Sequence, residues 1–234
     1  MRAFLLFCLA LSGPALCAQW ILPGGGAEML RGRVKIALEP VYGFYVEDAY
    51  PLDAVTVRRR ALEEAAVFYS AMIYGWSFHY EIGERARGIA ENFELTPLGS
   101  IRWGDPALRA TDARLEDMQF LLWTDYRLTE AQMRRMAMWR SGTARNAQAI
   151  GHGPLGGPVE TGDWMSIKRS ALEDAARAAV RAMLRGSERN RPREAEGFVS
   201  LASFPVFFMD DGRWAANAKF RVLQVTEIVP FAAY

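Results

Sequence analysis

Past residue 17 the chain has no cysteine: Cys8 and Cys17 are the two it contains. A mature chain that has shed them holds no disulfide and must rely on its core. Histidine is almost as scarce, with only His79 and His152, and together these shortages exclude a Cys/His zinc cluster. An excess of charge of one sign is also missing. Lysine and arginine number 28 against 27 aspartate and glutamate, a formal net charge of +1, which argues against a general nucleic-acid binder. No apolar run after the first residues reaches the about 20 residues of a membrane-spanning helix.

Signatures of catalysis are missing too. There is no Gly-x-Ser-x-Gly elbow. The glycine-rich stretches 23–26 and 151–157 do not lead from a strand into a helix, as a phosphate cradle requires. Asp210-Asp211-Gly212 lacks the spacing and terminal glutamate of a calcium loop and reads as a hairpin turn. Glu63/Glu64 and Glu173/Asp174 are neighbours on helices. Adjacent helical side chains diverge by about 100°, so neither pair converges as a glycosidase pair must; both read as solvated faces. His79 falls in a strand opposite Phe78 and Tyr80, and His152 in a loop. We expect no catalytic residue, no metal ligand and no cofactor.

What is present begins with an address. Arg2, the apolar run 3–11, the break at Ser12-Gly13-Pro14 and the small residues up to Ala18 form a secretory signal peptide, with cleavage expected after Ala18. Cys17 keeps a lipid-anchored alternative open, although Leu16 stands where a lipobox needs a small residue. Residues 19–32, with Pro23-Gly24-Gly25-Gly26, read as a flexible lead-in.

Residues 57–66 (VRRRALEEAA) and 167–176 (IKRSALEDAA) match position for position at an offset of 110, and the match extends to Asp53/Asp163 and Thr56/Ser166. Both stretches are helical, one over 53–74 with Asp53 as N-cap, the other over 163–184. Leu62, Ala65, Tyr69 and Ile73 share one face of the first, and Leu172, Ala175, Ala179 and Met183 one face of the second. Strands are expected at 33–45, 76–82, 118–126, 195–209 and 213–229, with a short one at 99–103. Pro205 sits badly in a central strand. A further helix over 129–139 opens on the capping box Thr129/Gln132. The fold class is therefore α+β, as two related units of an amphipathic helix on a small antiparallel sheet: 33–140 and 163–234, joined by a Gly/Pro linker at 141–162.

The string Ala171-Leu172-Glu173-Asp174-Ala175-Ala176 early in a helix that runs into a sheet resembles the small modules of flagellar accessory and outer-membrane lipoprotein-type envelope proteins. The resemblance covers 163–229 and, less closely, 53–82. It implies an exported envelope protein with a role around motility organelles or outer-membrane assembly, and assigns no functional residue. We therefore expect a non-catalytic, protein-binding or scaffold component of the periplasm, with other envelope proteins as partners. An outer-membrane lipoprotein is the alternative location, with peripheral or lipid-anchored membrane association. The alternative function is binding of a glycan, peptidoglycan or small ligand in a cleft lined by tryptophan and arginine. The candidate contact surface is Trp20 with the basic cluster Arg185, Arg189, Arg191 and Arg193.

Overall fold

The computed structural model describes residues 28–39, 51–83, 88, 90–155, 165–187, 192–224, 226 and 229–230, with 186–187, 192–193, 224 and 229–230 described by backbone alone. The expected signal peptide, lead-in residues 19–27 with Trp20, and Arg189 and Arg191 lie outside these residues, whereas 29–32, expected in the flexible lead-in, belong to a strand. In chain order the elements are β1 (Met29–Ala37), α1 (Ala54–Ile73), β2 (Trp76–Glu81), β3 (Asn92–Pro97), β4 (Leu108–Glu116), β5 (Gln119–Arg127) and α2 (Glu130–Trp139), then β6 (Arg145–His152), α3 (Ser166–Ser187), β7 (Pro192–Leu201), β8 (Val206–Asp210), β9 (Arg213–Gln224) and β10 (Val229–Pro230). The fold is α+β, with every strand pair antiparallel.

Two sheets result. The smaller runs β1-β5-β4; the larger runs β3-β2-β7-β9-β6, with β8 added to β9 and β10 to β7. Helix α1 packs against β1 and β5 of the small sheet and against β7 of the large one, whereas α3 lies over β6 and β9. Helix α1 is consequently buried over most of its circumference, from Val57 and Ala61 to Phe68, Tyr69 and Ile73. Burial explains why its apolar face is broader than the stripe of a helix with one neighbour. The Tyr69 hydroxyl donates to the Thr124 carbonyl of β5 at 2.8 Å, and Phe204, from the β7–β8 connection, packs edge-on against Phe68 and Tyr69.

Several expectations hold in local detail. The Asp53 carboxylate accepts from the Val55 and Thr56 N–H groups at the start of α1. Both arms of the Thr129/Gln132 capping box form. Asp211 and Gly212 carry φ of 47° and 73° in the two-residue β8–β9 turn, the left-handed pair such a hairpin requires.

Others are corrected. Residues 99–103 form no strand, while β3 and β4 fall where no strand was expected. The stretch 141–162 holds strand β6 rather than linker alone, because Arg145–His152 pairs residue for residue with β9. The strand expected over 195–209 breaks between Leu201 and Val206, around Pro205.

The two matching helices each run into strands of the same sheet: β2 and β3 after α1, β7 and β9 after α3. The β2–β7 pair joins the halves, with Trp76 opposite Val199 and Tyr80 opposite Ala195. Their surroundings differ, since only α1 has the small sheet against it. Leu172 is fully buried, while Leu62 is only partly so.

Candidate functional site

Residues of α1 and α3 line a groove of about 610 Å³. Ala66, Val67 and Ala71 of α1 and Leu172 of α3 line it, together with the buried Trp76 and Ile101. One wall is the segment 97–103. Ser70 holds it by accepting the Ile101 N–H at 2.8 Å while donating to the Ala66 carbonyl, and the Leu98 N–H bonds the Gly75 carbonyl. At the mouth, Trp103 stands 59% exposed beside Met165.

The matching decapeptides meet in this groove. Its polar residues include Glu63 from α1 and Arg169 and Glu173 from α3. Glu63 and Glu173 occupy the same position of the matching decapeptides, and Arg59, which pairs with Glu63 at 3.8 Å, matches Arg169. Burial pushes the Glu173 carboxyl above the ordinary carboxylate range, against the pull of Arg177 and Arg169. The rim is charged and the floor is apolar, a distribution typical of binding sites.

Below the groove the expected solvated face fails. Glu64 is buried and accepts a 2.7 Å hydrogen bond from the Lys168 ammonium. That ammonium also sits 5.2 Å from the Phe207 ring centroid and 5.1 Å from that of Trp214. The reason is the α1–α3 contact, which covers a side of each helix that a lone helix on a sheet would leave wet. Burial raises the Glu64 carboxyl and the Lys168 charge opposes that rise. The carboxylate of Asp174 is engaged too, accepting the His152 N–H at 2.9 Å.

Both histidines are engaged by carboxylates. His152 ends β6 rather than lying in a free loop, and its Nε2 is 2.8 Å from Asp210. His79 projects from the face of β2 opposite Phe78 and Tyr80, as alternation requires. Its Nε2 lies 3.2 Å from Glu81 and its Nδ1 3.0 Å from Glu196. The Glu81 bond, and then that of Glu196, raise its pKa despite slight burial. His79, Glu81 and Glu194 offer donor atoms within 4.8 Å of one another, a group the sequence reading did not anticipate because Glu194 is remote in sequence.

Of the basic contact surface, Arg185 is exposed in the last turn of α3, and Arg193 lies in β7 with its backbone alone described. Arg185 does not line the groove. Among the described residues no helix is long and apolar enough to cross a membrane.

A family profile matches residues 23–231, which takes in all three helices, both sheets and the groove. The chain belongs to that family. A Treponema pallidum (strain Nichols) protein titled "Uncharacterized protein" is 26% identical over 172 residues, covering 74% of this chain and 69% of that relative. No solved structure matches.

Proposed function

We propose that this is an exported, non-catalytic envelope protein that holds a segment of a partner protein in the groove between α1 and α3, in the setting of motility organelles or outer-membrane assembly. The observation that carries the reading is the groove's lining. Apolar side chains make its floor, and Glu63, Arg169 and Glu173 mark its edge. An amphipathic helix or strand that buries two or three apolar side chains and pairs its own charges with the rim meets those demands. A sugar, with a hydroxyl on most carbons, would leave many hydroxyls unbonded over such a floor.

The test places a photo-reactive amino acid at Trp103 of the tagged protein in its native cells. Crosslinks from Trp103 to defined envelope proteins, lost in Val67→Arg with circular dichroism unchanged, are the expected result. Crosslinks from Trp103 that survive that change would sink the reading.

A second reading rests on Trp103 and Arg169, which together give the tryptophan- and arginine-lined cleft that a glycan or peptidoglycan fragment needs. Its check is Trp103 fluorescence, read as the difference between the protein and Trp103→Phe. A saturable change with peptidoglycan fragments supports it, and no change with any of them removes it.

A further inference from the structure

The chain is nearly neutral overall, yet two of its surfaces are strongly charged and opposite in sign. Each sheet turns one face toward α1 and the other face outward. On the small sheet, alternation fixes the outward set: Arg31, Arg33 and Lys35 of β1, Arg127 of β5, and Arg109 and Arg114 of β4. All six are exposed. Arg33 and Arg114 lie over the Trp123 ring, with guanidinium carbons 5.7 and 5.2 Å from its centroid. Asp112, Asp125 and Glu116 share this face. Asp112 is 3.2 Å from Arg114, and Asp125 is 3.5 Å from Arg31. The surface remains clearly cationic.

The outward face of β3, β2 and β7 is the reverse. Glu94, Glu81, Glu194 and Glu196 are exposed there around His79. The outward positions of these three strands hold no lysine or arginine; among the described residues, Lys219 and Arg221 of the same sheet face are on β9, beside the far end of β7. His79 bonds two of the four carboxylates and leaves the patch anionic.

We propose that these faces bind each other between copies, the cationic face of one molecule on the anionic face of the next. The occupant is a second copy rather than a membrane or another polyanion, because the matching charge is carried by the same near-neutral chain. A general polyanion binder would carry a net basic charge. Using two different patches makes the contact heterologous, so it propagates into a ring or an open chain of molecules. A three-stranded face of nine-residue strands spans roughly 30 by 14 Å. That is below the roughly 800 Å² per partner of a standard stable interface, so the assembly is weak and steered by charge.

Sedimentation of the purified chain tests this between about 20 and about 500 mM salt, a range over which the screening length falls from about 20 to about 4 Å. We expect concentration-dependent growth at low salt that collapses to monomer at high salt. Two variants separate the faces. Lys35→Gln/Arg109→Gln/Arg127→Gln neutralises one, and Glu81→Gln/Glu94→Gln/Glu194→Gln the other, each checked for unchanged circular dichroism. Each variant alone should self-associate at least about tenfold more weakly. An equimolar mixture should stop at a dimer, because each variant retains one intact face. A wild type that stays monomeric at low salt, an association insensitive to salt, loss in only one variant, or a mixture that fails to pair overturns the proposal. A partner bound in the α1–α3 groove affects none of these outcomes, since the groove residues are untouched.

Discussion

Glu64 and Lys168 are one of the costlier arrangements a fold can contain. Two charges lie at 3% and 10% exposure with a 2.7 Å bond between them, and removing one takes that bond from the other, which stays buried. Glu64→Ala should lower unfolding stability by about 3–5 kcal/mol, whereas Glu64→Leu with Lys168→Met, which removes both charges and keeps the volume, should cost little or be stabilising. Urea denaturation of the single and double variants decides this, and equal losses in both would mean that packing alone is at stake. The sign of the pH effect follows from the raised Glu64 carboxyl. Its contribution to stability is greatest below the ordinary glutamate value of about 4.3 and falls as pH climbs through the higher folded value, so the double variant should show a flatter pH profile over that window.

His79 gives a second titration at this scale. Its raised pKa means that its contribution is full below the ordinary histidine value of about 6.5 and is lost as pH rises through the folded value. With only His79 and His152 in the chain, imidazole NMR resolves it directly. Glu81→Gln should move the His79 midpoint down more than Glu196→Gln does, since the Glu81 bond is the larger cause. An unmoved midpoint in Glu81→Gln would mean that the pair is not formed in solution.

At the scale of elements, legibility followed how local the signal was. Helix α1 could be read because Asp53, the apolar spacing and Gly75 all lie within one stretch of chain, and the β8–β9 turn because Gly212 marks it. The β4–β5 hairpin escaped because its turn residues, Asp117 and Met118, take φ of 48° and 57° without a glycine. Left-handed backbone costs an L-residue about 1–2 kcal/mol, and the Met118 side chain is 44% exposed, so it has little packing to lose. Met118→Gly should therefore raise stability by roughly 0.5–1 kcal/mol in thermal unfolding. Strand β6 escaped for a different reason. Its residues RNAQAIGH are weakly apolar, and what fixes them is β9 on one edge and α3 above. A Cβ at Gly151 would fall 1.9 Å from the Ala175 nitrogen and 2.5 Å from the Ala171 carbonyl oxygen. Gly151→Ala must push strand and helix apart and should cost about 1–3 kcal/mol or more; an unchanged melting temperature would contradict that close approach.

At the scale of the molecule, the repeat shows where the sequence led and where it stopped. The offset of 110 between the two decapeptides located both helices, but nothing in either stretch says that the helices touch. The groove and the buried ion pair depend on that contact, so Glu63, Glu64, Arg169 and Glu173 could be read only as surface. The same contact makes the two halves dependent on each other. Cutting the chain in the turn after α2, between Gly142 and Thr143, leaves β2 in one piece and its partner β7 in the other, and exposes the α1–α3 surface. Phe68 and Phe78 on one side and Val199 and Leu201 on the other are all buried in one continuous core. Each costs about 1.5–3 kcal/mol when returned fully to water, and four of them rival the about 5–15 kcal/mol that holds a typical domain together. Residues 1–142 and 143–234, expressed separately, should therefore each lack a cooperative unfolding transition by circular dichroism. Mixed in equal amounts, they should regain one together with the buried-tryptophan emission of Trp76 and Trp139. A cooperative transition in either fragment alone would show that the shared sheet is a contact between independent units rather than the frame on which the groove is built.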